Sequence, residues 1–117
     1  MLSVIALTIA ISFQTSFAQT TEPWPGITEK ILAENDQVKI AEVTFAPGSV
    51  ATWHEHPDYT VYALTDVTMK EEIKDKEPVT INLKAGQAGF STARSHQTSN
   101  TGKQSFTVIV TEIKPKK

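Results

Sequence analysis

From Ile27 to Ile113 apolar and polar residues exchange places every position or two, in short runs rich in Val, Ile, Thr, Phe and Tyr. Turn residues interrupt these runs every eight to twelve positions or so, the spacing of an all-β domain. The pattern predicts strands over 29–33, 38–45, 51–56, 60–65, 67–73, 78–83, 88–92, 95–98 and 106–113. Asn35-Asp36, Pro47-Gly48, Pro57-Asp58, Asp75-Lys76, Ala85-Gly86 and Asn100-Thr101-Gly102 separate them with turn chemistry. In the last strand Phe106, Val108 and Val110 alternate with Thr107, Ile109 and Thr111, so both faces carry β-formers. Such a strand is buried on one side and half covered on the other by a second sheet or a subunit. The charge run from Lys70 to Glu77 is read as a solvated hairpin. No helical period persists beyond a turn or two. The expected fold is a jelly roll or a sandwich of short antiparallel strands.

The first eighteen residues differ in kind. Met1 to Ala18 carry no charged side chain, and the apolar stretch from Leu2 to Phe13 has the length of a signal-peptide core rather than the roughly twenty residues of a spanning helix. Ser16-Phe17-Ala18 offers small residues where a signal peptidase needs them, so cleavage is expected before Gln19 and the mature chain in the periplasm or outside the cell. Without cysteine there is no lipoprotein attachment, and no stable membrane association is expected after cleavage. Gln19 to Gly26, with two prolines, is expected to run outside any sheet, with Trp24 capping the core or packing against a neighbouring subunit. The organisation read from the chain is therefore a signal peptide at 1–18, an N-terminal arm at 19–36 and a β-barrel domain at 37–115.

Composition narrows the chemistry. A chain of 117 residues with no cysteine leaves histidine, carboxylate and hydroxyl groups to do the work. A net charge of −2 gives no footprint for phosphate backbones, and the basic tail Lys114-Pro115-Lys116-Lys117 reads as a frayed terminus, so nucleic acid is not an expected partner.

All three histidines fall in two places, His54-Glu55-His56 and His96. Side chains two apart on a strand share a face, so His54 and His56 point together while Glu55 points away. A third imidazole from a neighbouring strand would complete a divalent transition-metal site (Fe, Mn, Zn or Ni) with positions left open for water or a small molecule.

Gly48-Ser-Val-Ala-Thr-Trp-His54-Glu-His56 resembles the first motif of the cupins, and Gly86 through His96 to Asn100 resembles the second, which ends in His-x-x-x-Asn. Pro57, the run Tyr59 to Leu64 and the turn Lys84-Ala85-Gly86-Gln87 look like small single-domain, RmlC-like cupins. The resemblance implies a double-stranded β-helix, or jelly-roll barrel. His54, His56 and His96 would be its metal ligands, Gly48 and Gly86 its turn glycines. The chain departs from the pattern where many cupins place a metal-binding glutamate: Thr60 and Val61, or Tyr59 in another alignment, stand there, and the nearest acid, Asp58, lies in a turn. Ser91-Thr92-Ala93 replaces a Pro-x-Gly, and Asp66 a glycine. A neutral three-histidine shell keeps its ion more electrophilic than one that includes a carboxylate.

By the same resemblance, the expected activity is that of an exported metal-dependent enzyme of dioxygenase, isomerase or lyase type on a small oxygen-rich molecule. The alternatives are a non-catalytic module that binds metal or a small ligand, and a domain that has lost its metal. Tyr59, Tyr62 and Arg94 are candidate pocket residues, Arg94 as a bidentate clamp on a carboxylate. Trp53 is placed on the face opposite His54, as a sheet or subunit contact, and Asn100 as a turn cap. A homodimer through the barrel's outer sheet is expected.

Overall fold

Ten strands and no helix make up residues 19–117, which the computed structural model describes; the proposed leader at 1–18 lies outside the described residues. The strands are β1 (Thr20–Trp24), β2 (Ile27–Glu34), β3 (Val38–Phe45), β4 (Val50–His56), β5 (Tyr59–Ala63), β6 (Val67–Glu72), β7 (Val79–Leu83), β8 (Ala88–Ser91), β9 (Arg94–Asn100) and β10 (Phe106–Ile113). One sheet has the order β1-β2-β3-β10-β5-β8 and the other β4-β9-β6-β7, with every pairing antiparallel. This is the expected jelly roll, two sheets closing on one interior.

The alternation along β10 explains the interior. Phe106, Val108, Val110 and Glu112 face inward beside Phe45, Val43, Ala41 and Lys39 of β3. On its other side Val108, Val110 and Glu112 stand opposite Ala63, Val61 and Tyr59 of β5. The interior is thus layered. At one end Phe45 and Phe106 stack with ring centroids 4.7 Å apart, among fully buried Ile27, Ala63 and Val67. The side chain of Asn100 locks that end, donating from Nδ2 to the carbonyls of Phe45 and Gln104 and accepting from the Gly102 amide. It caps a turn, as expected. At the other end lie Lys39, Tyr59 and Glu112.

Two readings are corrected. The lead from Gln19 to Gly26 joins the six-stranded sheet as β1, because an edge strand tolerates Pro23. Pro25-Gly26, with Gly26 at φ 78°, then turns the chain into β2. The charge run does form a hairpin, turning at Asp75 with φ 63°, yet it is not wholly solvated: Glu71 is 5 % exposed and points into the barrel.

Candidate metal centre

A bulge in β4 creates the site. β4 and β9 pair Ala51 with Thr98 and His54 with His96, three residues on one strand against two on the other. Plain alternation from buried Ala51 would send Trp53 and Glu55 inward and both histidines out. The extra residue resets the register, so that Ala51, His54 and His56 share the interior face and Trp53 is 52 % exposed on the other.

The ligand atoms of His54, His56 and His96 lie within 4.8 Å of one another. Two rings are anchored through their far nitrogens. Nδ1 of His54 sits 2.6 Å from the Thr52 carbonyl, in the bulge itself, and Nδ1 of His96 sits 2.7 Å from Glu71 Oε2. Both partners accept, so both Nδ1 atoms carry hydrogen, and in the neutral, metal-binding form of the rings both Nε2 atoms present lone pairs. Those two Nε2 atoms are 3.1 Å apart. Facing lone pairs at that distance repel unless a cation lies between them. A transition ion roughly 2.0–2.1 Å from each nitrogen sets neighbouring ligands about 3 Å apart. The residues present therefore fit a divalent metal.

Protonation agrees. Burial pushes His56 down to about 4, with neighbouring His54, His96 and Lys39 adding to the effect. His96 is also lowered by burial, even though the Glu71 hydrogen bond works the other way. Neutral imidazoles are the ligand form. Because His56 is neutral, its Nδ1 and Glu112 Oε2, 3.6 Å apart, form no ion pair, and they are too far apart for a hydrogen bond. That Nδ1 is a buried polar atom without a partner.

The expected pocket residues separate. Tyr59 is buried against His56, ring centroids 4.6 Å apart, with its phenol raised by burial. Tyr62 faces outward beside Ile109 and Ala88 and is excluded from the interior, since it is an even step from outward Thr60. Arg94 is no free clamp: Nη1 lies 3.3 Å from Glu71 Oε1, and Nε and Nη2 donate to the carbonyl and hydroxyl of Thr92. It backs the carboxylate that holds His96. Asp58 accepts from the Ala93 amide and ties two loops together, away from the histidines.

Three residues that the sequence reading did not assign to the site belong to its surroundings. Glu71 orients His96. Glu112, whose carboxyl burial raises, stands beside His56. Trp24 turns inward, donating from Nε1 to Thr52 Oγ1 at 2.9 Å and packing on His54 at 4.9 Å between centroids. Next to the imidazoles is a cavity of about 120 Å³, walled by Trp24, Val43, Val61, Met69, Leu83 and Val110.

No family model matches the chain, and no curated protein does. Solved structures do. A cupin domain from Bordetella pertussis Tohama I is 28% identical, with a TM-score of 0.70 over 77% of this chain and 95% of that one. KdgF from Halomonas sp. is 21% identical, at 0.60 over 83% and 89%. The polyketide cyclase RemF from Streptomyces resistomycificus is 17% identical, at 0.65 over 83% and 74%. With the jelly roll and the clustered histidines in place, these likenesses give the chain the cupin fold and support its assignment to the cupin superfamily.

Proposed function

We propose that the exported, mature chain is a divalent-metal-dependent enzyme of dioxygenase, isomerase or lyase type, acting on a small molecule held inside the barrel. The observation that carries this reading is the pair of lone-pair nitrogens of His54 and His96, 3.1 Å apart, at one end of a cavity. His54, His56 and His96 would hold a divalent ion there, which would supply polarisation of an oxygen or acidification of water.

The chain's own groups do the rest. Thr52 and Glu71 fix two ring orientations before any ion arrives. Tyr59, raised by burial, keeps its phenol proton at neutral pH. Glu112 faces the site from β10 and can receive a proton at Oε2 from a bound molecule. The apolar wall of Val43, Val61, Met69, Leu83 and Val110 gives a bound molecule a water-poor surface behind the metal end. RemF shows that this fold houses catalysis in at least one protein of similar structure. A homodimer is part of the proposal, through an outer sheet face and with exposed Trp53 available; Trp24, turned toward His54, is not.

The test begins with metal analysis of protein purified from its export compartment, where about one equivalent per chain is expected. Small-molecule extracts are then followed by NMR with loaded protein, stripped protein and His54→Ala. Conversion only by the loaded parent supports the enzyme. Stoichiometric metal without any conversion assigns the chain to the binding-module class instead.

A further inference from the structure

We propose that the molecule this site takes has a compact apolar body with its oxygen atoms gathered at one end, and is not a sugar or other polyol. The inference rests on the metal-dependent reading above and departs from the oxygen-rich substrate expected from the sequence.

Val43, Val61, Met69, Leu83 and Val110 lie on inward faces, in register with buried Val108, Ala63 and Val67. In a filled barrel they would be as buried as those neighbours. Instead they remain only partly buried, because they wall the cavity. Apolar surface left open inside a protein gains most from an apolar occupant.

Most polar partners for a ligand gather at the metal end. Besides the imidazoles, the lining offers Tyr59 and Glu112 beside His56, with Glu29 and buried Thr98. Glu29 is held by Lys39 at 3.5 Å, and Arg94 is held by Glu71. A hydroxyl turned toward Val43, Val61, Met69, Leu83 or Val110 meets C–H groups, and each one stripped of water without a new partner lowers affinity by about tenfold or more. Size agrees: about 120 Å³ is close to the roughly 150 Å³ of an apolar cavity that admits benzene.

Cyclohexanol and myo-inositol share one carbon ring and differ in carrying one hydroxyl or six, so they isolate the variable. With valine methyls labelled, zinc-loaded full-length mature protein is titrated with each. Cyclohexanol is expected to shift the Val43, Val61 and Val110 methyls saturably, whereas myo-inositol at ten times the concentration leaves them in place. Val43→Thr and Val61→Thr, close in shape to valine, are each expected to weaken cyclohexanol about threefold or more while zinc stoichiometry stays at the parent value. Inositol binding as tight as cyclohexanol, no saturable shift with cyclohexanol, or cyclohexanol binding indifferent to both variants would overturn the proposal. Failure of the metal reading looks different: zinc is not retained, while the methyls still respond to cyclohexanol.

Discussion

The two ends of the barrel interior are built from the same strands with the same alternation, yet they do opposite things. At the closed end Phe45, Phe106, Ile27 and Val67 fill the space, and Asn100 satisfies the loop carbonyls. At the open end, two residues at a time along those strands, the inward positions become Glu112, Tyr59, His56 and Glu71, and the apolar side chains between the ends stay partly uncovered. Stability is concentrated in the first region. The second gathers three imidazoles and their carboxylate neighbours in an arrangement that fits a cation. The difference teaches that one strand can serve both purposes, provided the polar positions cluster at one end.

The comparison breaks most visibly at the closed end. Phe106→Ala removes the stacked ring of a residue 2 % exposed and is expected to cost about 3–5 kcal/mol in denaturant unfolding. The folded fraction should still bind metal with parent affinity, and a variant that lost both together would show that the ends are not separable. Next in size is Glu71→Gln. It keeps the shape but removes the charged acceptor behind His96, so metal affinity should fall roughly 10- to 100-fold in a competition titration, and the metal-free unfolding midpoint should fall as well because the Arg94 ion pair is lost. An unchanged affinity would mean that the anchor is irrelevant to the ion.

Acid sharpens the same contrast. His56 has a folded value near 4, below its ordinary 6.5, so between those values the unfolded chain binds more protons than the folded one. Stability of the metal-free protein is therefore full above about 6.5 and declines as pH falls toward 4. His56→Gln should flatten that part of the profile, and a profile identical to the parent would remove His56 as its source. The smallest effect is expected from Glu112→Gln. Glu112 Oε2 is 3.6 Å from His56 Nδ1, short of a bond, so a change of only a few-fold in metal affinity is predicted, against the larger loss for Glu71→Gln. A larger loss for Glu112→Gln would reverse the ranking of the two anchors.

How much of this was legible beforehand depends on whether the signal was local. The strands, their turns and the three histidines were, because alternation and turn residues act over a few positions. The bulge was not: strict alternation from Ala51 gives the wrong face for His54, and only the pairing of β4 with β9 reveals the extra residue. Arg94 was assigned to substrate because nothing in the chain places Glu71 beside it; that contact comes from the register of β6 against β9. Yet a signal for Glu71 existed. It continues the inward series Val67, Met69, as Glu112 continues Phe106, Val108, Val110, and a carboxylate extending a buried apolar series is a candidate for a built-in polar role. Trp24 was hidden for another reason, since two prolines argue against a sheet everywhere except at its edge.

The central claim is that three imidazoles, two of them held by their Nδ1 hydrogens, share one cation. X-ray absorption at the zinc edge of stoichiometrically loaded protein tests it most directly. Three imidazole nitrogens are expected at roughly 2.0–2.1 Å, falling to two in His54→Ala, His56→Ala or His96→Ala. A spectrum without imidazole scattering, or one that none of these substitutions alters, would contradict it.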